Sequence, residues 1–186
     1  MPIKTDKIIV VDLEATCWPS FPPKGQTNEI IEIGICLVNL KKKEIERKDS
    51  YFVKPLYSEI SAYCMELTTI TPDMIKKSGK PLNEVVNTIA KEYPLKSNPW
   101  SSWGEYDRTH FEKECLSKGI PYPFSNSHIN IKNIHAICMG TSKGVGVQKA
   151  IQSMHMDFIG TQHRGVDDAY NTARILLRIL DGFSFK

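Results

Sequence analysis

The stretch KIIVVDL at residues 7–13 is the segment from which the fold of this chain can be worked out. It is β-branched and apolar on both faces of an extended chain, so it predicts a central strand that is covered on both sides. Asp12 lies at its carboxyl end, and Glu14 follows two residues later. Because open α/β sheets bind their ligands beyond the carboxyl ends of such strands, a functional site is expected here.

The segments that follow predict a β-hairpin beside this strand. Glu29–Val38 is a second apolar strand, Asn39–Lys48 is a turn rich in charge, and Asp49–Val53 is the strand that closes the hairpin. The three lysines at 41–43 can be interpreted either as a solvated hairpin tip or as a contact to phosphates.

The rest of the chain alternates between helices and short strands. Apolar residues keep helical spacing in Leu82–Tyr93 and, most strongly, in Val166–Leu180, which Gly182 is expected to end. Thr71 and Pro72 are typical of a helix start. Helices are also predicted at Asp107–Lys118, Asn133–Met139 and, weakly because of its glycines, Gly144–Met154, and short strands at Trp100–Trp103 and His128–Ile131. This order predicts an α/β protein with a mixed sheet layered with helices.

The length of 186 residues fits one domain with a full hydrophobic core, here residues 1–186 with a core at about 7–182. The net charge of 24 − 21 = +3 decides little about partners. Nothing near Met1–Lys7 is typical of a signal peptide, and no segment approaches the roughly 20 apolar residues of a membrane span. The cysteines are odd in number, scattered and never in a CxxC pair, which argues against a disulfide framework and a structural zinc site and favours a reducing, cytoplasmic compartment: Cys17, Cys36, Cys64, Cys115 and Cys138.

Asp12 and Glu14 form the first candidate for chemistry. Residues two apart on a strand point to the same face, with their Cα atoms roughly 6.5–7 Å apart. Like charges at the end of an apolar strand repel, so at least one is expected to bind a proton unless a cation is present. The pair is therefore a candidate metal site, although a solvent-facing strand end would also explain it.

Three further residues can join this pair. Asp107 follows the predicted strand at Trp100–Trp103 and can face the same edge as Asp12, although a helix N-cap would explain it equally. His163 precedes Asp168 at the start of the last helix, where Asp167 and Asp168 both complement the helix dipole. Helical phase places Asp168 near the inner edge and turns Asp167 outward. A histidine beside a carboxylate cluster indicates proton transfer.

In order, Asp-x-Glu, Asp and His-x4-Asp resemble the DEDDh family of 3′–5′ exonucleases. The surrounding sequences are similar to the subgroup of exoribonucleases that includes the enhanced-RNAi enzymes: VDLEATCW at 11–18, NEIIEIG at 28–34, YCMELTTIT at 63–71, WGEYD at 103–107 and HRGVDDAYNTAR at 163–174. The resemblance covers about residues 7–182. One departure is Thr69, which stands where the subgroup usually has glycine.

The resemblance implies an RNase H-like fold with a five-stranded sheet and a site for two divalent ions. It assigns four acids as metal ligands, namely Asp12, Glu14, Asp107 and Asp168, and His163 as the general base. The implied ions are two Mg²⁺, which hard oxygen ligands suit and which Mn²⁺ should replace. The implied reaction is hydrolysis at an RNA 3′ end, single-stranded or with a short overhang, that releases nucleoside 5′-monophosphates.

The family resemblance also points to contacts with the last nucleotide. The candidates are Ala15, Thr16, Met65 and Leu67, together with Trp103 and Tyr106, on which a base can stack. Trp103 can equally belong to the core. Lys143, Lys149 and Arg164 are candidate phosphate contacts, and Gly144-x-Gly146 is only a weak phosphate-loop signal.

Other functions remain open at this point. A DNA exonuclease of the proofreading type would use the same chemistry, although the tract at 63–71 and Ala-Thr-Cys at 15–17 favour RNA. A non-catalytic RNA-binding or regulatory module on this fold would not need the complete acid set. A phosphatase would act on mononucleotides but not on oligomers.

Overall fold

The structure, a computed structural model, describes residues 3–182, so that the two ends of the predicted unit, 1–2 and 183–186, lie outside the described residues. Its sheet has five strands in the spatial order β3-β2-β1-β4-β5. The strands are β1 (Lys7–Ala15), β2 (Ile30–Asn39), β3 (Glu44–Phe52), β4 (Trp100–Ser102) and β5 (His128–Asn130). β1 occupies the centre, as the apolar run at 7–13 predicts.

The pairing of the strands is mixed. β1 runs antiparallel to β2, and β2 runs antiparallel to β3. β1 runs parallel to β4, and β4 parallel to β5. The predicted RNase H-like combination of an antiparallel hairpin with parallel strands is therefore confirmed.

The predicted turn of the hairpin is too long. Only the residues between Asn39 and Glu44 form the turn, and β3 begins at Glu44. Exposed and half-buried residues alternate along β3, which lies at the edge of the sheet, so charged side chains occupy its solvent face without breaking the strand. A charge-rich segment at a sheet edge was therefore wrongly interpreted as a turn.

Seven helices are present within residues 3–182: α1 (Ala62–Thr68), α2 (Pro72–Ser78), α3 (Leu82–Glu92), α4 (Tyr106–Ser117), α5 (Ile131–Cys138), α6 (Val147–Ser153) and α7 (Gly165–Leu180). α5 begins two residues before the predicted Asn133, because the side chain of Asn130 accepts a hydrogen bond from the Asn133 N–H and caps the helix. No helix in this range is long and apolar enough to cross a bilayer.

The alternation of β1 divides the core into two layers. Ile9, Val11 and Leu13 pack under α3 and α4, whereas Ile8 and Val10 pack under α5–α7. Side chains of a strand alternate between its faces, so Asp12 and Glu14 continue the row of Ile8 and Val10 and lie on the α7 side. The phase of one strand thus decides which helix meets the acids.

α7 approaches the sheet at backbone distance. A Cβ built on Gly34 of β2 would lie 1.9 Å from the carbonyl carbon of Gly165, the first residue of α7. A Cβ built on Gly165 would in turn lie 3.1 Å from the backbone oxygen of Asp12. The first turn of α7 therefore rests on the main chain of β1 and β2, with no room for a side chain at Gly34 and little at Gly165.

Candidate active site

Three acids meet where β1 ends beneath α7. Asp12 and Glu14 project from β1, and Asp168 projects from the first turn of α7. Each offers a carboxylate oxygen, and these oxygens all lie within 4.8 Å of one another. We call Asp12, Glu14 and Asp168 the acid cluster. Its spacing is short enough for a single cation to contact all three carboxylates.

Asp107 reaches the same strand end from the other layer. α4 begins at Tyr106 after the N-cap residue Glu105, so Asp107 is the second helical residue, and its interpretation as a helix N-cap is wrong. Its Oδ1 accepts a hydrogen bond of 3.0 Å from the Leu13 N–H in β1. Asp107 is thus held beside the acid cluster without belonging to the group within 4.8 Å.

The carboxylates on β1 are strongly perturbed. Burial, followed by repulsion from Asp107 and Asp168, raises the pKa of Asp12 well above its ordinary value. Burial also raises the pKa of Glu14 to about 8, with Asp168 as the next cause, while Arg164 opposes the shift. Both shifts have the cause expected for like charges removed from water.

The acids on the two helices show the same direction. Burial raises the pKa of Asp107 to about 6, although the hydrogen bond from Leu13 opposes this shift. Burial raises the pKa of Asp168 to about 7, opposed by the backbone N–H groups of His163 and Arg164. A cation bound beside these acids would offset their repulsion and favour their deprotonated form.

One oxygen of the acid cluster is left without a donor. Oδ2 of Asp168 is buried and has no hydrogen-bond partner among residues 3–182. A buried acceptor without a donor is costly, and a cation would satisfy it. The oxygen-only donor set suits a hard divalent ion. The residues present therefore fit a metal ion.

His163 lies in the turn that leads into α7. It is exposed, and its backbone adopts the left-handed conformation, with φ of 58°. That conformation is uncommon outside glycine, although histidine is among the residues that adopt it more often. A hydrogen bond from the His163 backbone N–H opposes the rise in the pKa of Asp168, five residues later.

Asp167 does not simply turn outward, as helical phase predicts. It is half-buried, and its Oδ2 accepts a hydrogen bond of 2.8 Å from the Thr161 N–H. A Cβ on Gly160 would lie 2.2 Å from the Asp167 carboxyl carbon, so this carboxylate is packed directly against the preceding loop. Asp167 therefore fastens the turn before α7, and Asp168 alone of the pair enters the acid cluster.

Sequence reasoning missed Glu32. This residue is fully buried on β2, directly opposite Glu14 in the strand register, and it contributes to the raised pKa values of Asp12 and Glu14. Its partner is Arg164, whose Nε lies 3.1 Å from Oε2. The signal for it was a charged residue within an otherwise apolar strand, in register with an acid of the neighbouring strand.

The predicted substrate contact of Thr16 is not supported by its hydrogen bonds. Thr16 is fully buried, and its hydroxyl donates to Thr27 and accepts from the Glu29 N–H. Its own N–H donates to the Glu29 backbone oxygen. The side chain and the N–H of Thr16 close the loop between β1 and β2 and are not free for a nucleotide. Ala15 is also buried.

The aromatic candidates divide between core and surface. The indole N–H of Trp103 donates to the Val145 oxygen at 2.9 Å, and the ring packs against the core under α7, as the alternative interpretation predicts. Tyr106 is 56% exposed, and its ring stacks on His110 with centroids 5.3 Å apart. Met65 and Leu67 on α1 are half-buried. Tyr106 is thus the accessible aromatic ring beside Asp107.

The comparison with protein families decides the class of this site. The model of the exonuclease family described as RNase_T matches residues 9–176, a range that contains Asp12, Glu14, Asp107, His163 and Asp168.

The chain belongs to the exonuclease family.

Relatives within the exonuclease family narrow the class. The chain is 31% identical over 201 residues to the 3′–5′ exonuclease Snipper of Drosophila melanogaster, covering 96% of this chain and 71% of that protein. It is 30% identical over 187 residues to human 3′–5′ exoribonuclease 1, covering 94% and 52%. The nuclease domain of 3′hExo, a DEDDh family member bound to rAMP, superimposes with a TM-score of 0.84 at 28% identity, covering 95% and 92%.

These matches confirm the resemblance to the DEDDh 3′–5′ exoribonucleases that the motifs indicate. Membership in the family implies divalent metal ions, which the acid cluster fits. The matched region amounts to 52% of the length of human 3′–5′ exoribonuclease 1 and to 57% of bovine ERI1 exoribonuclease 3, so the chain spans about half the length of these relatives.

Proposed function

We propose that this exonuclease-family chain is a two-metal-ion 3′–5′ exoribonuclease, which hydrolyses phosphodiester bonds from the 3′ end and releases nucleoside 5′-monophosphates. The observation that carries the proposal is the acid cluster, in which three carboxylates lie within 4.8 Å and Oδ2 of Asp168 is buried without a donor. A buried group of like charges without a cation has no stabilising role of its own.

Mg²⁺ is the proposed ion, with Mn²⁺ as a substitute, since both prefer carboxylate oxygens. Asp12, Glu14 and Asp168 would hold the two ions, and Asp107, fixed to the end of β1, would complete the ligand set. When bound, divalent ions polarise the scissile phosphate and lower the pKa of a bound water. The four carboxylates would hold the ions in place at the end of β1.

His163 is the proposed general base. Its imidazole would accept a proton from the attacking water and return it to solvent, which its exposed position in the turn before α7 allows. Asp168 follows five residues later in the first turn of α7, so the turn that carries the base leads directly into the helix that carries a metal ligand.

The proposed substrate is an RNA 3′ end, single-stranded or with a short overhang. Tyr106 offers an exposed ring beside Asp107, and a stacked base is worth about 1–3 kcal/mol. Met65 and Leu67 on α1 would border the terminal nucleotide, with Ala15 beneath it. The names of the relatives and the bound rAMP of the superimposed nuclease support RNA as the polymer.

A time course on 5′-labelled RNA with Mg²⁺ tests the proposal. The expected result is a ladder that shortens from the 3′ end, is abolished by EDTA and shortens far more slowly, at a rate that can still be measured, for Asp12→Asn and His163→Ala. Internal fragments would indicate an endonuclease, and equal digestion of matched DNA would favour a proofreading-type enzyme. Binding of RNA without trimming would leave a regulatory module, and turnover of mononucleotides alone would leave a phosphatase.

Residues 1–186 are proposed to form one exonuclease unit in a reducing, cytoplasmic compartment. The family match over residues 9–176 supports the single unit. All five cysteines are free thiols, which supports the compartment.

A further inference from the structure

Glu32 is the most completely hydrogen-bonded carboxylate near the acid cluster. Its side chain is fully buried on β2. The Ser50 hydroxyl donates to Oε1 at 2.6 Å, and the Gly165 N–H donates to Oε2 at 3.0 Å. Arg164 donates to the same oxygen from Nε at 3.1 Å. Since its oxygens are already engaged, Glu32 is not a spare metal ligand.

These bonds place Glu32 at the N-terminus of α7. The first N–H groups of a helix have no partner inside the helix. Arg164 occupies the N-cap position of α7 and provides no side-chain cap. Glu32 therefore supplies the missing acceptor from a neighbouring strand, and its negative charge also complements the helix dipole. The start of α7 is fixed to β2 by a side chain that lies 132 residues away from Arg164 in sequence.

The turn that Glu32 fixes holds a residue in an unfavourable conformation. His163 has a φ of 58°, which costs a non-glycine residue about 1–2 kcal/mol. Such conformations persist where the surroundings determine them. Asp167 binds the Thr161 N–H on one side of His163, and Glu32 binds the Gly165 N–H on the other. The backbone on either side of the exposed His163 is thus held by two carboxylates.

Arg164 connects the Glu32 carboxylate to the turn that contains His163. Its guanidinium pairs with Glu32 and lies over the Phe52 ring, 5.4 Å from the ring centroid. A second hydrogen bond joins Arg164 Nη2 to Glu32 Oε1 at 3.4 Å. A planar guanidinium held by two hydrogen bonds and a ring has little freedom. The side chain of the residue directly after His163 is therefore held in place.

We propose that Glu32, acting with Arg164, is a positioning residue that holds the turn at residues 161–165 so that the His163 imidazole is directed at the attacking water. This inference rests on the proposed function of His163 as general base. Glu32 itself touches neither substrate nor metal.

A double-mutant cycle between Glu32→Gln and His163→Ala tests the inference. Glu32→Gln keeps the side-chain volume but removes the charge that holds Arg164, so kcat on RNA should fall about 10–100-fold, because small misplacements of a catalytic group have effects of this size. KM should change less than about twofold. In the His163→Ala background the same substitution should change kcat less than about twofold, because there is no imidazole left to direct.

Stability is separated from positioning by a second variant. Glu32→Gln combined with Arg164→Met replaces the buried ion pair by neutral groups, so folding should be largely restored while kcat stays low. Glu29→Gln neutralises another buried carboxylate, directly before β2, and should leave kcat unchanged. Recovery of kcat in the neutral pair would overturn the inference.

Two further results of the cycle would overturn the inference. One is an equal loss of kcat on Glu32→Gln substitution in both His163 backgrounds. The other is a rise in KM at unchanged kcat in Glu32→Gln, which would make Arg164 a phosphate contact. A wild-type protein without any nuclease activity would overturn the proposed function instead. In that case deuterium uptake of residues 160–166 decides, since it should increase in Glu32→Gln but not in Glu29→Gln; equal uptake would overturn the inference.

Discussion

Two groups of buried carboxylates in this molecule have opposite electrostatic surroundings. One is the lysine cluster of Glu29, Glu114 and Lys118, where Lys118 Nζ lies 2.8 Å from both carboxylates. Burial raises the pKa of Glu29, but hydrogen bonds from Lys118 and from the Leu56 and Tyr57 N–H groups lower it by more. The pKa of Glu29 therefore lies below its ordinary value. The other group is the acid cluster, where every pKa is raised.

The two clusters differ in the hydrogen-bond and ionic partners of their carboxylates, and burial does not explain the difference in pKa. Glu29 is less accessible than either acid on β1, but a cation of the chain itself and backbone donors complete its hydrogen bonds. The acid cluster instead contains Oδ2 of Asp168, which has no donor among the described residues. The charges of the lysine cluster are thus compensated within the folded chain, whereas the acid cluster requires a cation from solution.

Asp12→Asn should produce the largest effect that separates the two clusters. Loss of a central metal ligand should lower kcat on RNA by about 10³-fold, since divalent ions supply several kcal/mol to such reactions. The free energy of unfolding without metal should stay equal or rise, because a repelling charge is removed. Trimming assays and urea unfolding in EDTA measure the two quantities.

The same change in the lysine cluster serves as the control for Asp12→Asn. Glu29→Gln should reduce the free energy of unfolding and retain kcat within about threefold. A variant Asp12→Asn that keeps full activity, or one that is strongly destabilised without metal, would remove the distinction between the clusters.

Lys118→Met should have the next largest effect. It leaves Glu29 and Glu114 without their cation, and because Lys118 keeps 13% of its side-chain surface exposed, the loss should lie below the 3–5 kcal/mol of fully buried pairs, at about 2–3 kcal/mol of unfolding free energy. Activity at a temperature where the variant is folded should be unchanged. Lys113→Met, an exposed lysine on the same helix, should change stability by less than about 0.5 kcal/mol in the same urea titration.

The pH dependence of metal stabilisation should separate the clusters next. The pKa values of Glu14 and Asp168, about 8 and about 7, lie above those of unfolded carboxylates. Between the unfolded and the native pKa values, the native state therefore binds more protons than the unfolded state. Without metal, the stability that these protonated groups contribute is therefore lost as pH rises from about 4 to about 8.

Mg²⁺ binds the deprotonated acids, so it should raise Tm more at pH 8 than at pH 6, by about 5 °C at the higher pH. Differential scanning fluorimetry with and without EDTA measures this, and Asp12→Asn should reduce the response. A larger Mg²⁺ response at pH 6 would contradict the account given for the acid cluster.

Thr69→Gly should have the smallest effect and concerns strain away from the acid cluster. Thr69 ends α1 with φ of 61°, a conformation that is unfavourable for a β-branched residue and that glycine adopts freely. The substitution should raise the free energy of unfolding by about 1 kcal/mol. Thr88→Gly, within α3, should lower it by about 0.5 kcal/mol. If both changes have the same sign in urea unfolding, strain at Thr69 is not the cause.

Much of the fold could be predicted because single segments determine it. The apolar run at 7–13 required a central strand, and the spacing in 166–180 required the long helix α7. The turn at 39–48 was predicted wrongly because a charged segment can be either a loop or the solvent face of an edge strand, and only the pairing with β2 decides.

The candidate site was partly visible for a similar reason. Asp12, Glu14 and Asp168 follow from strand alternation and helical phase, both of which are local. Glu32 and the hydrogen bond from Leu13 to Asp107 depend on contacts between distant segments, 94 residues apart in the latter case. Thr16 shows the converse, since a residue adjacent to the site can be wholly engaged in closing a loop.

The contact between Gly34 and Gly165 has a consequence for how this chain can vary. Because main chain rests on main chain there, the sizes of side chains do not set how closely the first turn of α7 approaches β1 and β2. Substitutions among the apolar residues elsewhere in the two layers can therefore accumulate during evolution without changing that approach.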